Sequence, residues 1–102
     1  MKFTTLAIIS MGTALMASSV AIAGDAAAGK AKAESCVSCH GMNGRSTNPN
    51  NPNLAGQKKN YLIKALKAYR DKTRVDPMMN SLTASLSDAD IDDIATFYSS
   101  VK

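Results

Sequence analysis

Two cysteines and the chain's only histidine stand within five consecutive positions, Cys36-Val37-Ser38-Cys39-His40, and no other residue in 102 repeats either type. That allocation limits what can be built. A closed tetrahedral zinc site needs four nitrogen, sulfur or oxygen ligands, and Cys36, Cys39 and His40 supply three. A thioredoxin-like motif needs a strand before the cysteines and a helix after them. Here an Ala-rich helical stretch precedes and a Gly/Asn/Pro loop follows. A disulfide between Cys36 and Cys39 would close a very short loop, add little loop entropy and leave His40 without a role.

The remaining reading is C-x-x-C-H, the attachment pattern of one covalently bound haem c. Late in a helix the two thiols lie about one turn apart and can reach two vinyl groups on one porphyrin edge. The following imidazole is then carried over the ring face toward the iron. No second histidine exists for the other axial position, so methionine is the natural candidate. Met1, Met11 and Met16 fall in the expected leader, and Met42 stands too close to His40 to reach the far face. That leaves Met78 and Met79, which follow Pro77 in Arg74-Val75-Asp76-Pro77-Met78-Met79-Asn80, read as a helix-interrupting loop that reaches back over the ring.

The N-terminus reads as an export signal: Lys2, then the apolar stretches Leu6 to Ile9 and Met11 to Met16, then Ala21-Ile22-Ala23 as a small-x-small cleavage site. Cleavage after Ala23 is expected, giving a periplasmic domain over residues 24–102 without stable membrane insertion. At about 80 residues a lone hydrophobic core supplies only about 3 to 5 kcal/mol, so a cofactor in the core answers a physical need. The net charge of +4 is mild and interspersed, with no basic arm or interleaved aromatics to suggest nucleic acid.

The mature chain is expected to be all-α, with three main helices plus loops wrapped around the haem and no strand-like alternation. The first runs from about Ala26 to Cys39 with Asp25 as N-cap, placing Gly29, Ala33 and Cys36 on one small-residue face. The second runs from about Lys58 to Lys72, burying Tyr61, Leu62, Ala65, Leu66 and Tyr69. The third runs from about Asp88 to Ser100, with Ile91, Ile94, Ala95 and Tyr98 as its apolar stripe; Phe97 seals an edge or touches the haem. Ser87 and Asp90 form a capping box, and the acidic cluster at Asp88, Asp90, Asp92 and Asp93 is read as helix-start chemistry, not a cation site. The opposite side of the second helix, with Lys59, Lys64, Lys67 and Arg70, is either a solvated face or a docking surface for an acidic redox partner.

Across the mature chain the sequence resembles the class I cytochromes c, in particular one half of the di-haem two-domain bacterial cytochromes c. Cys36 to Gly41, Pro52-Asn53-Leu54-Ala55-Gly56-Gln57, Met79 before Ser87-Asp88, and the last helix with Tyr98 carry the resemblance. It implies Met79, rather than Met78, as the second iron ligand beside His40, the Pro52 carbonyl as acceptor for His40 Nδ1, and Leu54 against the haem face. It implies terminal helices that cross, and a place for Tyr61 near a propionate. The expected function is one-electron transfer between transient redox protein partners, with no catalysis of its own. A haem-c subunit of a larger oxidoreductase, or a sensor or peroxidase with a labile Met, are the competing readings.

Overall fold

The computed structural model describes residues 24–102, together with Gly12. The expected leader and its cleavage site otherwise lie outside the described residues. Among the described residues five α-helices follow one another: α1 Ala26–Lys32, α2 Glu34–His40, α3 Lys59–Arg70, α4 Pro77–Thr83 and α5 Asp88–Ser100, with a 3-10 turn at Met42–Gly44. Among the described residues there is no strand.

Asp25 starts α1 by accepting from the Ala27 and Ala28 amides at 2.9 and 3.1 Å, which satisfies two of the unpaired N–H groups at a helix start. The first helix is not continuous to Cys39 as the sequence suggested. It breaks at Ala33, where the Cys36 amide donates to the Ala33 carbonyl at 2.9 Å, an i to i+3 bond that tightens the turn and sets α2 apart.

Gly29 is where α1 crosses α5. A Cβ at this position would lie 1.9 Å from the Asp93 carbonyl oxygen, so only glycine allows the two backbones this close. Around the crossing, Asp25 N–H donates to Asp93 Oδ1 at 2.9 Å, and Lys32 Nζ bridges Asp90 and Asp93 at 2.9 and 2.7 Å. Lys32 is the main cause that holds the Asp90 carboxyl at about 2, and it lowers Asp93 as well.

α5 begins with the expected reciprocal cap: Asp90 N–H donates to Ser87 Oγ, and Ser87 N–H to Asp90 Oδ2, both at 3.0 Å. Its Ile91, Ile94, Ala95 and Tyr98 are buried. With Ala33 and Leu62, all of these except Ile91 form one core cluster. Phe97 packs on that cluster, its ring 5.0 Å from that of Tyr98, and so seals the edge of the stripe.

Two further expectations change. Tyr61 is 52% exposed, because it sits at the edge of the α3 stripe whose buried member is Leu62. The segment after Pro77 is a helix, not a loop. Pro77 occupies the first turn, where its missing N–H costs nothing, and Asp76 caps the helix by accepting from Met78 and Met79 N–H at 3.1 Å.

Candidate functional site

A cavity of about 420 Å³ opens between α2, the 50–57 loop, α3, α4 and α5. From α2 it receives Cys36, Cys39 and His40; from α4, Met78, Met79 and Thr83; from the loop, Pro52 and Leu54. The apolar floor is the core itself, through Leu62, Ile94, Ala95 and Tyr98.

The loop is held to the site by short bonds. Gly44 O accepts from Leu54 and Ala55 N–H at 2.8 and 3.1 Å, and Asn51 Nδ2 donates to Cys39 O at 2.9 Å. Gly44 has φ +77°, and a Cβ there would meet the Tyr98 ring at 2.7 Å and the Ala55 amide at 2.8 Å. The close seating of loop on ring therefore requires glycine. Together these contacts place the Pro52 carbonyl 2.8 Å from His40 Nδ1.

His40 is only 7% exposed. A carbonyl oxygen can only accept, so the proton of the neutral ring sits on Nδ1 and the lone pair is left on Nε2. Such an arrangement fixes both the tautomer and the ring's orientation and makes the free nitrogen a better metal ligand.

Cys36 and Cys39 are free thiols, both half-buried. Burial pushes the Cys36 thiol up, and burial with the neighbouring Cys36 pushes the Tyr98 phenol up. The Tyr98 hydroxyl faces Cys36 but makes no hydrogen bond among the described residues. Among the methionines, Met42 is 72% exposed and does not reach the cavity. Met78 lines the cavity yet is 62% exposed, whereas Met79 is half-buried. Among the described residues no three His, Cys, Asp or Glu side chains cluster as a metal site.

Two residues that sequence reasoning passed over frame Met79. Thr83 Oγ1 donates to Met79 O at 2.7 Å. Asn80 Nδ2 donates to Tyr69 O at 2.7 Å and Arg74 O at 2.9 Å. The signal for a helix here was present in Asp76-Pro77, a capping residue followed by proline.

The basic side of α3 is largely engaged internally. Lys59 pairs with Asp92 at 3.1 Å, Arg70 with Asp88 at 2.7 Å, and Lys67 lies 4.0 Å from Asp88. Lys64 makes no ion pair among the described residues.

Two free thiols one turn apart, a tautomer-fixed buried imidazole and a methionine wall around one apolar cavity suit a planar iron porphyrin held covalently. The fold and these groups define a c-type haem domain. The chain belongs to the cytochrome c family, whose model, "Cytochrome c", matches residues 26–102. It is 49% identical over 80 residues to cytochrome c4 of Pseudomonas aeruginosa, covering 78% of this chain and 40% of that one. It is 49% identical over 81 residues to cytochrome c-554(548) of Halomonas halodenitrificans, covering 76% of this chain and 98% of that one. The crystal structure of reduced recombinant cytochrome c4 from Pseudomonas stutzeri superposes with a TM-score of 0.75 at 40% identity, over 78% of this chain and 47% of that chain. The chain thus spans less than half of either cytochrome c4 and nearly all of c-554(548). The all-helical arrangement is the cytochrome c fold. The family's cofactor is covalent haem c, and Cys36 and Cys39 stand in the C-x-x-C-H spacing that attaches it.

Proposed function

We propose that this protein is an exported, periplasmic one-electron carrier in which His40 and Met79 hold the two axial positions of the iron. The observation that supports the reading is that His40 and Met79 line one and the same cavity. His40 presents Nε2 because Nδ1 is committed to Pro52 O. Met79 supplies a thioether from the α4 wall of the same cavity. Bound haem c supplies the ferric and ferrous states, and Met opposite His favours the ferrous one.

The remaining groups serve that couple. Pro52 orients the imidazole through its carbonyl, and Leu54, half-buried at the cavity, excludes water from the ring face. With His40 and Met79 both bound to the metal, no position would remain open to a substrate, which supports electron transfer over catalysis by this chain alone. On this reading a leader ending at Ala23 is removed on export and the haem domain starts at Gly24. No helix among the described residues is long and apolar enough to cross a membrane.

Transient redox proteins are the partners. For the basic face of Lys59, Lys64, Lys67 and Arg70, the ion pairs to Asp88 and Asp92 offset most of the charge and leave Lys64 as its free cation among the described residues. Encounter at the cavity rim is better supported. Tyr61 and Met78 line the cavity and are 52% and 62% exposed, which brings a partner close to the haem edge.

The test is a pair of variants examined as ferric holoprotein. Met79→Ala is expected to abolish the weak red absorption band of the sulfur-to-iron bond and to lower the midpoint potential. Met78→Ala should spare both. The reverse pattern moves the ligand by one residue, and a native protein without the band that binds small ligands rapidly overturns the carrier reading.

A further inference from the structure

The side chain next to Met79 makes three hydrogen bonds, two of them to residues outside its own helix and its cap. Asp76 already caps α4 by accepting from Met78 and Met79 N–H. Asn80 adds bonds of a different kind. Its Nδ2 donates to Tyr69 O, near the end of α3, and to Arg74 O, in the connecting turn, while its Oδ1 accepts from Asp76 N–H at 2.9 Å. One amide therefore joins the end of α3, the exposed turn and the residue that caps α4.

The Thr73 and Arg74 amides tie the start of that turn to Ala68 O at 2.9 and 3.1 Å, and Arg74 lies over the Tyr69 ring, but Val75 and Asp76 make no direct hydrogen bond to α3 among the described residues. Residues 71–78 are all exposed, and Lys72 takes a φ of +62°, an uncommon conformation for a residue with a long side chain. The Met79 backbone, by contrast, is fixed at both ends: its N–H donates to Asp76 Oδ1 and its carbonyl accepts from Thr83 Oγ1. Methionine has three rotatable bonds and little shape preference of its own, so the position of its sulfur depends on how firmly its backbone is held.

We propose that Asn80 is a positioning residue that locks the Asp76–Met79 turn onto the end of α3, holding the Met79 thioether at the cavity wall against displacement from the iron. The proposal rests on the reading of Met79 as a ligand. It also gives that reading a physical basis for a Met that is retained, not labile.

The experiment titrates ferric holoprotein with imidazole, which competes for the methionine's coordination position, and follows the red band in the parent, Asn80→Ala and Met79→Ala. Asn80→Ala is expected to keep its helix content and attached haem, to weaken the band, and to bind imidazole about tenfold more tightly, less than the combined net worth of three hydrogen bonds. Met79→Ala should lack the band altogether. If Asn80→Ala matches the parent in band and imidazole affinity while Met79→Ala loses the band, the proposal alone fails. If Met79→Ala keeps the band, the ligand assignment fails and takes the proposal with it. Should Asn80→Ala not accumulate, hydrogen exchange of the Asn80 side-chain amide in the parent ferrous holoprotein decides. Slow exchange of both protons supports the lock, and exchange at the rate of a free amide overturns it.

Discussion

Gly29→Ala sets two well-known effects against each other on α1. Alanine is favoured over glycine in a helix by about 1 kcal/mol. Against that, the added Cβ would lie 1.9 Å from Asp93 O, 2.5 Å from Asp93 C and 3.0 Å from Ile94 N. Ordinary contact begins near 3.4 Å, so α1 and α5 must separate by about 1.5 Å at the crossing. The obstruction is backbone, which cannot rotate away as a side chain would. Overpacking therefore falls toward the upper part of its usual range, about 3 kcal/mol. The separation also stretches the Lys32 bridges to Asp90 and Asp93 and the Asp25 bond to Asp93. The net expectation is a loss of about 2 kcal/mol, which for a domain of this size lowers Tm by about 8 to 16 °C. Thermal unfolding of the ferric holoprotein, followed by far-UV circular dichroism, measures it. A Gly29→Ala protein as stable as the parent, or more so, would refute the close-crossing argument, because helix propensity would then have won.

Stability should fall in acid: Asp90, Asp93 and Asp88 are held below their ordinary range, the first two chiefly by Lys32 and the last by Arg70. A carboxylate with a lowered folded-state pKa contributes above its unfolded value and loses that contribution as pH drops through the folded one, so Tm should decline between about pH 4 and 2. Asp90→Asn should flatten the decline, and an unchanged slope in that variant would count against these ion pairs. Tyr98→Phe removes a buried hydroxyl that has no hydrogen-bond partner among the described residues. Tm of the holoprotein is expected to hold or rise, by up to about 1 kcal/mol of added stability, since an unsatisfied buried donor is costly; a lower Tm would show that the hydroxyl is satisfied in the holoprotein.

Local chemistry was legible in the sequence where neighbours in the chain decide the outcome. The Ser87 and Asp90 cap, the Asp25 cap and the α5 stripe all depend on residues within one or two turns, and all are found where the pattern put them. The small face at Gly29 and Ala33 pointed correctly to a close helix contact, because a missing side chain leaves a signature in the sequence. Pro77 was misread for a different reason. Proline breaks a helix interior yet suits its first turn, and Asp76 before it was the clue that distinguishes the two. The break at Ala33 has no such clue, since alanine is the best helix former and only the tertiary frame tightens that turn. Nor could spacing along α3 reveal that its cations meet acids from α5, or that Asn80 reaches back eleven residues to Tyr69 O.

The core gives a physical reason to expect so small a domain to depend on its cofactor. The cluster of Ala33, Leu62, Ile94, Ala95 and Tyr98 is a single layer of side chains, and four of those five residues also line the cavity. Those five residues are themselves buried, but the cavity wall beside them is only half-buried at Leu54, Leu66 and Leu86, and covering apolar surface of that kind is the main favourable contribution to folding. Haem c held at Cys36 and Cys39 would cover that wall, and its covalent link would tie it to α2. Residues that set the cofactor's chemistry are then residues that set the fold. The Pro52 carbonyl that orients His40 also fastens the 50–57 loop across the cavity, and the Asn80 amide beside Met79 fastens α4 to α3. Substitutions at these positions are therefore expected to change potential and stability together, whereas changes at exposed Lys64 or Met42 should leave both close to the parent.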